Sequence, residues 1–181
     1  MGETASESVR IKDGTMQAKA GTPSTASAES RTVALTQPVF RLCEEKDLSR
    51  VMELDKEAFF DPWSREAWQR ELENPIAFWL VEEAGQAIVG YAGVWTVAGE
   101  AQVMRVAVKK ELRNRGLGYL LTQALVQKAW DEGMEAVTLE VRESNLAAQK
   151  VYERCGFVSG GVRPHYYADT GEGAVIMWLR K

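Results

Sequence analysis

The sequence predicts one α/β or α+β domain, a mixed sheet with helices packed on its faces, behind an unstructured N-terminal tail. Three observations carry this. From residue 38 onward, segments of strand period and helix period alternate in the order β-α-α-β-β-β-α-β-α-β-β, without an internal repeat. Residues 1–37 are rich in Ser, Thr, Ala, Gly and Glu, and bury too little to offset the entropy of ordering. The whole chain has 181 residues, 45% of them hydrophobic, which suits one domain with a real core plus an appendage.

The elements follow in order. Val39 to Leu42 reads as a short strand, and a helix follows from about Asp47 to Phe59, with Leu48, Val51, Met52, Ala58 and Phe59 at helical spacing. Asp61-Pro62-Trp63-Ser64 breaks the chain, and Ser64 is placed to cap a second helix whose face includes Ala67, Trp68 and Leu72. Asn74-Pro75 ends that helix. Ala77–Glu83, Ala87–Val97 and Ala101–Val108 read as three strands, the first two joined by a tight turn at Ala84-Gly85-Gln86. Leu117, Leu120, Leu121, Ala124, Leu125 and Ala129 then share one helical face, and Gly133 stops the helix. Ala136–Arg142 is a strand, Leu146–Cys155 a helix, and Phe157–Arg163 and Ala174–Leu179 the last two strands.

Charge and composition exclude several classes of function. A net charge of -4 argues against a domain that holds nucleic acid through its phosphates, while a mildly acidic surface favours a basic partner. Cys43 and Cys155 lie far apart without metal-ligand spacing, and His165 is the single histidine, so no disulfide framework, zinc site or histidine cluster is expected. The apolar stretch Ile88–Ala98 is too short and too glycine-broken to span a bilayer, and no signal peptide opens the chain. In the tail, Arg10, Lys12, Lys19 and Arg31 are balanced by Glu3, Glu7, Asp13 and Glu29, unlike a transit peptide. The expectation is a cytoplasmic monomer that engages neither membrane nor nucleic acid.

Two clusters carry chemistry. In the first, the apolar strand Val106-Ala107-Val108 leads into Arg113-Asn114-Arg115-Gly116-Leu117-Gly118-Tyr119, a basic glycine turn that opens the long helix. Free N–H groups at a helix start, with the macrodipole, form an anion site, and glycines let a phosphate approach the backbone. The turn lacks the Lys-Ser/Thr of a triphosphate loop and differs from the G-x-G-x-x-G dinucleotide fingerprint. A basic helix start with a plain glycine turn is the alternative.

The second cluster runs from Leu139-Glu140-Val141-Arg142-Glu143-Ser144-Asn145 to Val151-Tyr152-Glu153-Arg154-Cys155-Gly156-Phe157. On the strand, Val137, Leu139 and Val141 share one face, and Thr138, Glu140 and Arg142 the other. Glu140 is either a general base or a salt-bridged, solvated strand residue. Asn145 reads as a helix cap, and Tyr152, on the face of Ala148 and Cys155, as a core tyrosine.

Together, R-N-R-G-L-G after a strand and L-E-V-R-E-S-N-x-x-A-x-x-x-Y-E-R-C-G-F resemble the GNAT superfamily over residues 38–181. More narrowly, the chain resembles the RimI-type ribosomal-protein-alanine N-acetyltransferases. Phe60-Asp61-Pro62-Trp63-Ser64, Glu100-Ala101, Arg163-Pro164-His165-Tyr166-Tyr167 and Ala174-Val175-Ile176-Met177 support that match. Pro164-His165 and Gly173 depart from it, on the acceptor side.

The resemblance implies the GNAT fold, a mixed and mostly antiparallel sheet with helices on both faces, and acetyl-CoA as co-substrate without a metal. It implies that main-chain groups of Val106, Ala107 and Val108 pair with the pantetheine arm. Arg113, Asn114, Arg115, Gly116, Leu117, Gly118 and Tyr119 hold the pyrophosphate, and Asn145 contacts the cofactor. Glu140 becomes the general base, acting through water, Tyr152 the general acid, and a strand N–H near Val106 an oxyanion-type donor. The implied acceptor is a protein N-terminus, typically the N-terminal alanine of a small-subunit ribosomal protein. A small amine or lysine acceptor on the same fold, and a CoA-binding module without catalysis, are the other readings. Trp63 and the pair Tyr166-Tyr167 are candidates to line the acceptor entrance. Cys43 and Cys155 read as small apolar residues and His165 as a loop residue.

Overall fold

The computed structural model describes residues 9–12, 15–18 and 38–181. Its strands are β1 (Val9–Lys12), β2 (Thr15–Ala18), β3 (Val39–Leu42), β4 (Ala77–Ala84), β5 (Ala87–Val97), β6 (Glu100–Val108), β7 (Ala136–Arg142), β8 (Val158–Tyr167) and β9 (Glu172–Arg180). Its helices are α1 (Leu48–Ala58), α2 (Arg65–Glu73), α3 (Leu117–Asp131) and α4 (Leu146–Arg154). From β3 onward this is the predicted element order.

All nine strands form one sheet, in the order β1-β2-β3-β4-β5-β6-β7-β9-β8. Every neighbouring pair is antiparallel except β6 and β7, which are parallel and joined through α3. Helices cover both faces of the sheet. On one face α3 packs, and Phe40, Leu80, Ala92, Val94, Leu121, Leu125, Val137, Leu139 and Met177 share a core. On the other, α1 and α2 bury Leu48, Val51, Leu54, Trp68, Trp79, Val81, Tyr91 and Ala107. Trp68 and Trp79 meet edge to face with their centroids 4.7 Å apart, and Trp79 lies over Gly93, where any β-carbon would collide with its ring.

Local signals set the boundaries. The Ser64 hydroxyl accepts from the Ala67 N–H at 3.2 Å and so caps α2. Gly133 turns at φ 81° just past α3. The structure adds two strands in the tail and corrects one reading. Most of the tail, residues 1–8, 13–14 and 19–37, lies outside the described residues, but β1 and β2 pair with each other, and Met16 and Gln17 pair with Phe40 and Val39. The physical reason lies in the pattern: apolar and polar residues alternate along Val9–Lys12 and Thr15–Ala18, and β3 offers an edge to pair with. Also, β8 continues beyond Arg163 to Tyr167, so His165 belongs to an irregular strand segment rather than a loop.

One core residue is chemically out of place. Glu82 on β4 is fully buried on the α3 side, opposite Gly90, and neither carboxyl oxygen has a hydrogen-bond partner. A β-carbon at Gly90 would sit 2.7 Å from a Glu82 oxygen and 3.3 Å from Leu121, so the glycine is what leaves room for the acid. Burial pushes its carboxyl from 4.5 up to about 8. Between those values the unfolded chain is ionised while the folded carboxyl stays neutral, so stability falls by about 1.4 kcal/mol per pH unit across that window. Glu82→Gln cannot ionise. Its urea midpoint should therefore gain on the wild type as pH rises from about 5 to about 8. A difference that stays constant over that range would show that this proton is not coupled to folding.

Candidate active site

The site begins where two strands part. β6 and β7 pair at only three positions, Glu100 with Ala136, Ala101 with Val137 and Gln102 with Thr138. Beyond Gln102 they diverge. The β5–β6 register shifts there, pairing Gly93 with Arg105 and Val94 with Val103, so Met104 is an extra residue in β6. Such a bulge bends and twists its strand. It also places both Met104 and Arg105 on the α1/α2 side, between Val103 and Val106, which pack toward α3.

The open half of β6 presents main-chain groups that β7 does not pair. The Lys109 N–H donates to the Val89 carbonyl at 2.8 Å, so Lys109, Ala107 and Arg105 occupy the hydrogen-bonded positions toward β5. The alternate residues Val106 and Val108 turn their N–H and C=O groups into the gap. In agreement, the Val108 carbonyl accepts from Arg113 Nε at 3.0 Å rather than from a strand. An extended polyamide chain fits such an edge by strand addition.

The glycine turn closes one end of this gap. A short 3-10 turn at Lys110–Leu112 leads to Arg113, Asn114 adopts φ 62°, and Gly116 precedes α3 at φ 83°. Gly116 is needed at that φ, which a side chain would strain. α3 has no side-chain cap and no acid in its first turn. The N–H groups of Leu117, Gly118 and Tyr119 therefore open the helix without an intrahelical acceptor, flanked by the exposed Arg113 and Arg115. This cradle suits a diphosphate. The Tyr119 side chain is committed elsewhere: its hydroxyl accepts from Gln123 Nε2 at 2.6 Å, and its ring lies 3.9 Å from the Arg154 guanidinium of α4. Asn145 caps α4, its Oδ1 accepting from the Ala148 N–H at 3.2 Å.

On the α1/α2 face, Glu140 stands at the mouth of the gap. Gln102 Nε2 donates to one of its oxygens at 3.4 Å, and Arg163 lies 3.7 Å from the other. Neither contact is short, so the carboxylate keeps lone pairs for another donor. Tyr152 is partly buried against the α3/α4 core with Phe157, ring centroids 5.9 Å apart. Burial, with Cys155 and Tyr167 nearby, pushes its hydroxyl well above the usual tyrosine range. It is a proton-bearing group at neutral pH.

Tyr167 joins the two. Its hydroxyl is pushed up to about 12, first by burial, with Arg142 opposing and Tyr166, Glu140 and Glu172 adding to the rise. Arg142 holds it there. The guanidinium lies 3.9 Å from the Tyr167 ring, donates to both Asp169 oxygens at 2.7 and 2.9 Å, and reaches Thr170 Oγ1 at 2.9 Å. Tyr166 stands beside it edge to face and is exposed. Cys43 and Cys155 are half-buried free thiols, each pushed up to about 12 by burial, and so are poor nucleophiles.

The sequence reading missed one part of this region. Asp55 is fully buried and Arg105 is 6% exposed, and they pair at 2.8 Å between α1 and β6. The signal was present: Asp55 continues the stripe Leu48, Val51, Met52 at helical spacing, where a carboxylate needs a buried partner. What no local pattern reveals is that the partner is Arg105, fifty residues away.

Comparisons with known proteins show the family and the fold. The acetyltransferase (GNAT) family matches residues 48–157. A putative [ribosomal protein bS18]-alanine N-acetyltransferase of Bacillus subtilis is 37% identical over 145 residues, covering 80% of this chain and 96% of its own. The [ribosomal protein bS18]-alanine N-acetyltransferase of Escherichia coli is 32% identical over 139 residues, covering 75% and 93%. The crystal structure of the ribosomal-protein-S18-alanine N-acetyltransferase from Escherichia coli superposes with a TM-score of 0.72 at 28% identity, over 79% of this chain and 93% of that one. Parted strands, a glycine turn on a helix start and relatives matched over nearly their whole length lead to one conclusion: this chain belongs to the GNAT family of acetyltransferases.

Proposed function

We propose that the chain transfers an acetyl group from acetyl-CoA to the N-terminal α-amine of a protein, in the cytoplasm, with the N-terminal alanine of a small-subunit ribosomal protein as acceptor. The observation that carries this reading is the parting of β6 and β7, with free main-chain groups on one side and Glu140 on the other. The names of the relatives supply the acceptor.

Residues of this chain fit acetyl-CoA. Val106 and Val108 offer main-chain partners to an amide-bearing arm, with Ala107 between them. The turn through Arg113, Asn114, Arg115, Gly116, Leu117, Gly118 and Tyr119 offers amides and positive charge to a diphosphate. Asn145, already a cap, keeps its side-chain amide N–H groups for a further contact. The bound thioester supplies an activated acetyl group. Glu140 takes a proton from the acceptor amine, through one water, into its carboxylate. An α-amine needs little help, since its pKa is about 7.7–8.0 against about 10.4 for a lysine side chain. Tyr152 delivers its hydroxyl proton to the departing thiolate, and its raised pKa keeps that proton in place until then. The Val106 N–H faces the gap and is placed to hydrogen-bond a carbonyl oxygen.

The test is transfer of labelled acetyl to short peptides beginning with Ala, Ser or Met, beside a blocked peptide containing lysine and a set of free polyamines. Transfer to the free α-amine of the alanine peptide is expected, and preference for the polyamine or blocked peptide would overturn the acceptor. Tyr152→Phe should lower kcat by about 100-fold, with acetyl-CoA affinity by calorimetry unchanged. Unchanged turnover would remove Tyr152 from the chemistry. Glu140→Gln should lose about 100-fold or more at neutral pH and regain part of that above pH of about 9, where the amine is already neutral. An equal loss at every pH would assign Glu140 a structural role.

A further inference from the structure

The loop between α1 and α2 is fastened to β6 by one buried group of residues, and the fastening differs from ordinary core packing. Arg105 Nη1 donates to Asp55 at 2.8 Å, and Nη2 donates to the Asp61 main-chain carbonyl at 2.8 Å. Asp55 in turn accepts from the Trp63 N–H at 2.7 Å and from the Tyr91 hydroxyl. The Arg105 guanidinium also stacks on Phe59 at 4.3 Å and Trp63 at 4.5 Å. Five residues, Phe59 to Trp63, are thus held by a single cation and its counter-ion.

The middle of that loop stays exposed. Phe60 is 82% exposed, an unusual state for an aromatic side chain, and the Asp61 carboxylate is 78% exposed, 3.4 Å from Arg105. The loop lies over the half of β6 that has parted from β7. Gln102, Glu140 and Arg105 all point to this face, because the Met104 bulge turns Arg105 the same way as Gln102. Across the gap, Arg163 approaches Glu140 and stacks near Tyr166. Phe60 and Asp61 therefore stand on the same face of the sheet as Glu140, which Arg163 approaches at 3.7 Å.

We propose that Arg105 is a positioning residue for the acceptor: by pinning the Phe59–Trp63 segment to β6, it holds Phe60 and Asp61 at the height where they grip an incoming chain beside Glu140. This rests on the reading of this face, beside Glu140, as the acceptor site. The link runs from the strand that binds the thioester to the loop that meets the amine, so a shift in one shifts the other. Lysine cannot replace Arg105, since it lacks the flat face for Phe59 and Trp63 and the forked donors for Asp55 and Asp61.

Steady-state kinetics on the full chain, with acetyl-CoA and an alanine-initiated peptide, test this. Arg105→Lys should raise the peptide KM by about ten-fold, with kcat and the acetyl-CoA KM within about two-fold of wild type. Phe60→Ala, at a solvent-facing position whose loss does not threaten the core, should raise the peptide KM in the same way. The double variant should cost less than the product of the two, because Arg105 acts through the loop that carries Phe60. An unchanged peptide KM in Phe60→Ala would overturn the proposal even if Arg105→Lys fails to fold. Fully multiplicative effects in the double variant would overturn it too. A wild-type protein that binds CoA but acetylates no peptide would refute the acetyltransferase acceptor reading itself, and this proposal with it.

Discussion

Strand pairing between β6 and β7 stops after Gln102 and Thr138, and the remainder of the site depends on that interruption. A parallel pair that continued to Val108 would satisfy every main-chain group and leave no place for a ligand. The bulge at Met104 ends the pairing by bending β6 away. In the same step it frees the amides of Val106 and Val108 and turns Arg105 toward α1. α3, which connects the two strands and packs on one face of the sheet, opens just past the parted end of β6. The open edge of β6 and the turn of Arg105 toward α1 are therefore products of one geometric event.

The two faces of the sheet serve different ends. The α3 face is mainly apolar, and Glu82 is buried there without a hydrogen-bond partner, which raises its pKa. The α1/α2 face carries buried charge instead, but there the charge is paired. Asp55, Arg105 and Tyr91 satisfy one another and the loop main chain. Replacing a buried pair with apolar side chains is often neutral or stabilising, so stability alone is a weak reason for it. Its geometric effect is to hold the Phe59–Trp63 segment against β6. On the same face Arg142 holds the turn after β8 and the Tyr167 ring in one arrangement.

The groups proposed for catalysis come from elements with separate anchors. Glu140 rides on β7, which lies between β6 and β9 and pairs with β9 along its whole length. Tyr152 rides on α4, capped by Asn145 and packed through Phe157. Tyr167 closes β8. Their positions relative to one another thus depend on sheet order more than on any local turn, as precise positioning of acid and base groups requires.

Much of the fold was legible from residue order because the deciding forces act within a few residues. Helical and alternating periods name the faces of α3 and β7, Ser64 and Asn145 cap through their own side chains, and Gly116 and Gly133 supply left-handed φ where the chain needs it. The glycine turn and Glu140 could be singled out on the same ground, and the tyrosine at 152 followed from family resemblance. Other features were beyond such reasoning. The alternating pattern of β6 does not say where it abandons β7, Asp55 does not announce Arg105, and Arg41 to Glu83 or Gln102 to Glu140 are contacts between distant segments. Whether the pattern around Asp13-Gly14 becomes β1 and β2 depends on the free edge of β3. Periodicity reports which side of an element is buried. Which neighbour buries it, and where two neighbours separate, is settled when the chain packs, because those energies belong to pairs of surfaces brought together only by the folded sheet.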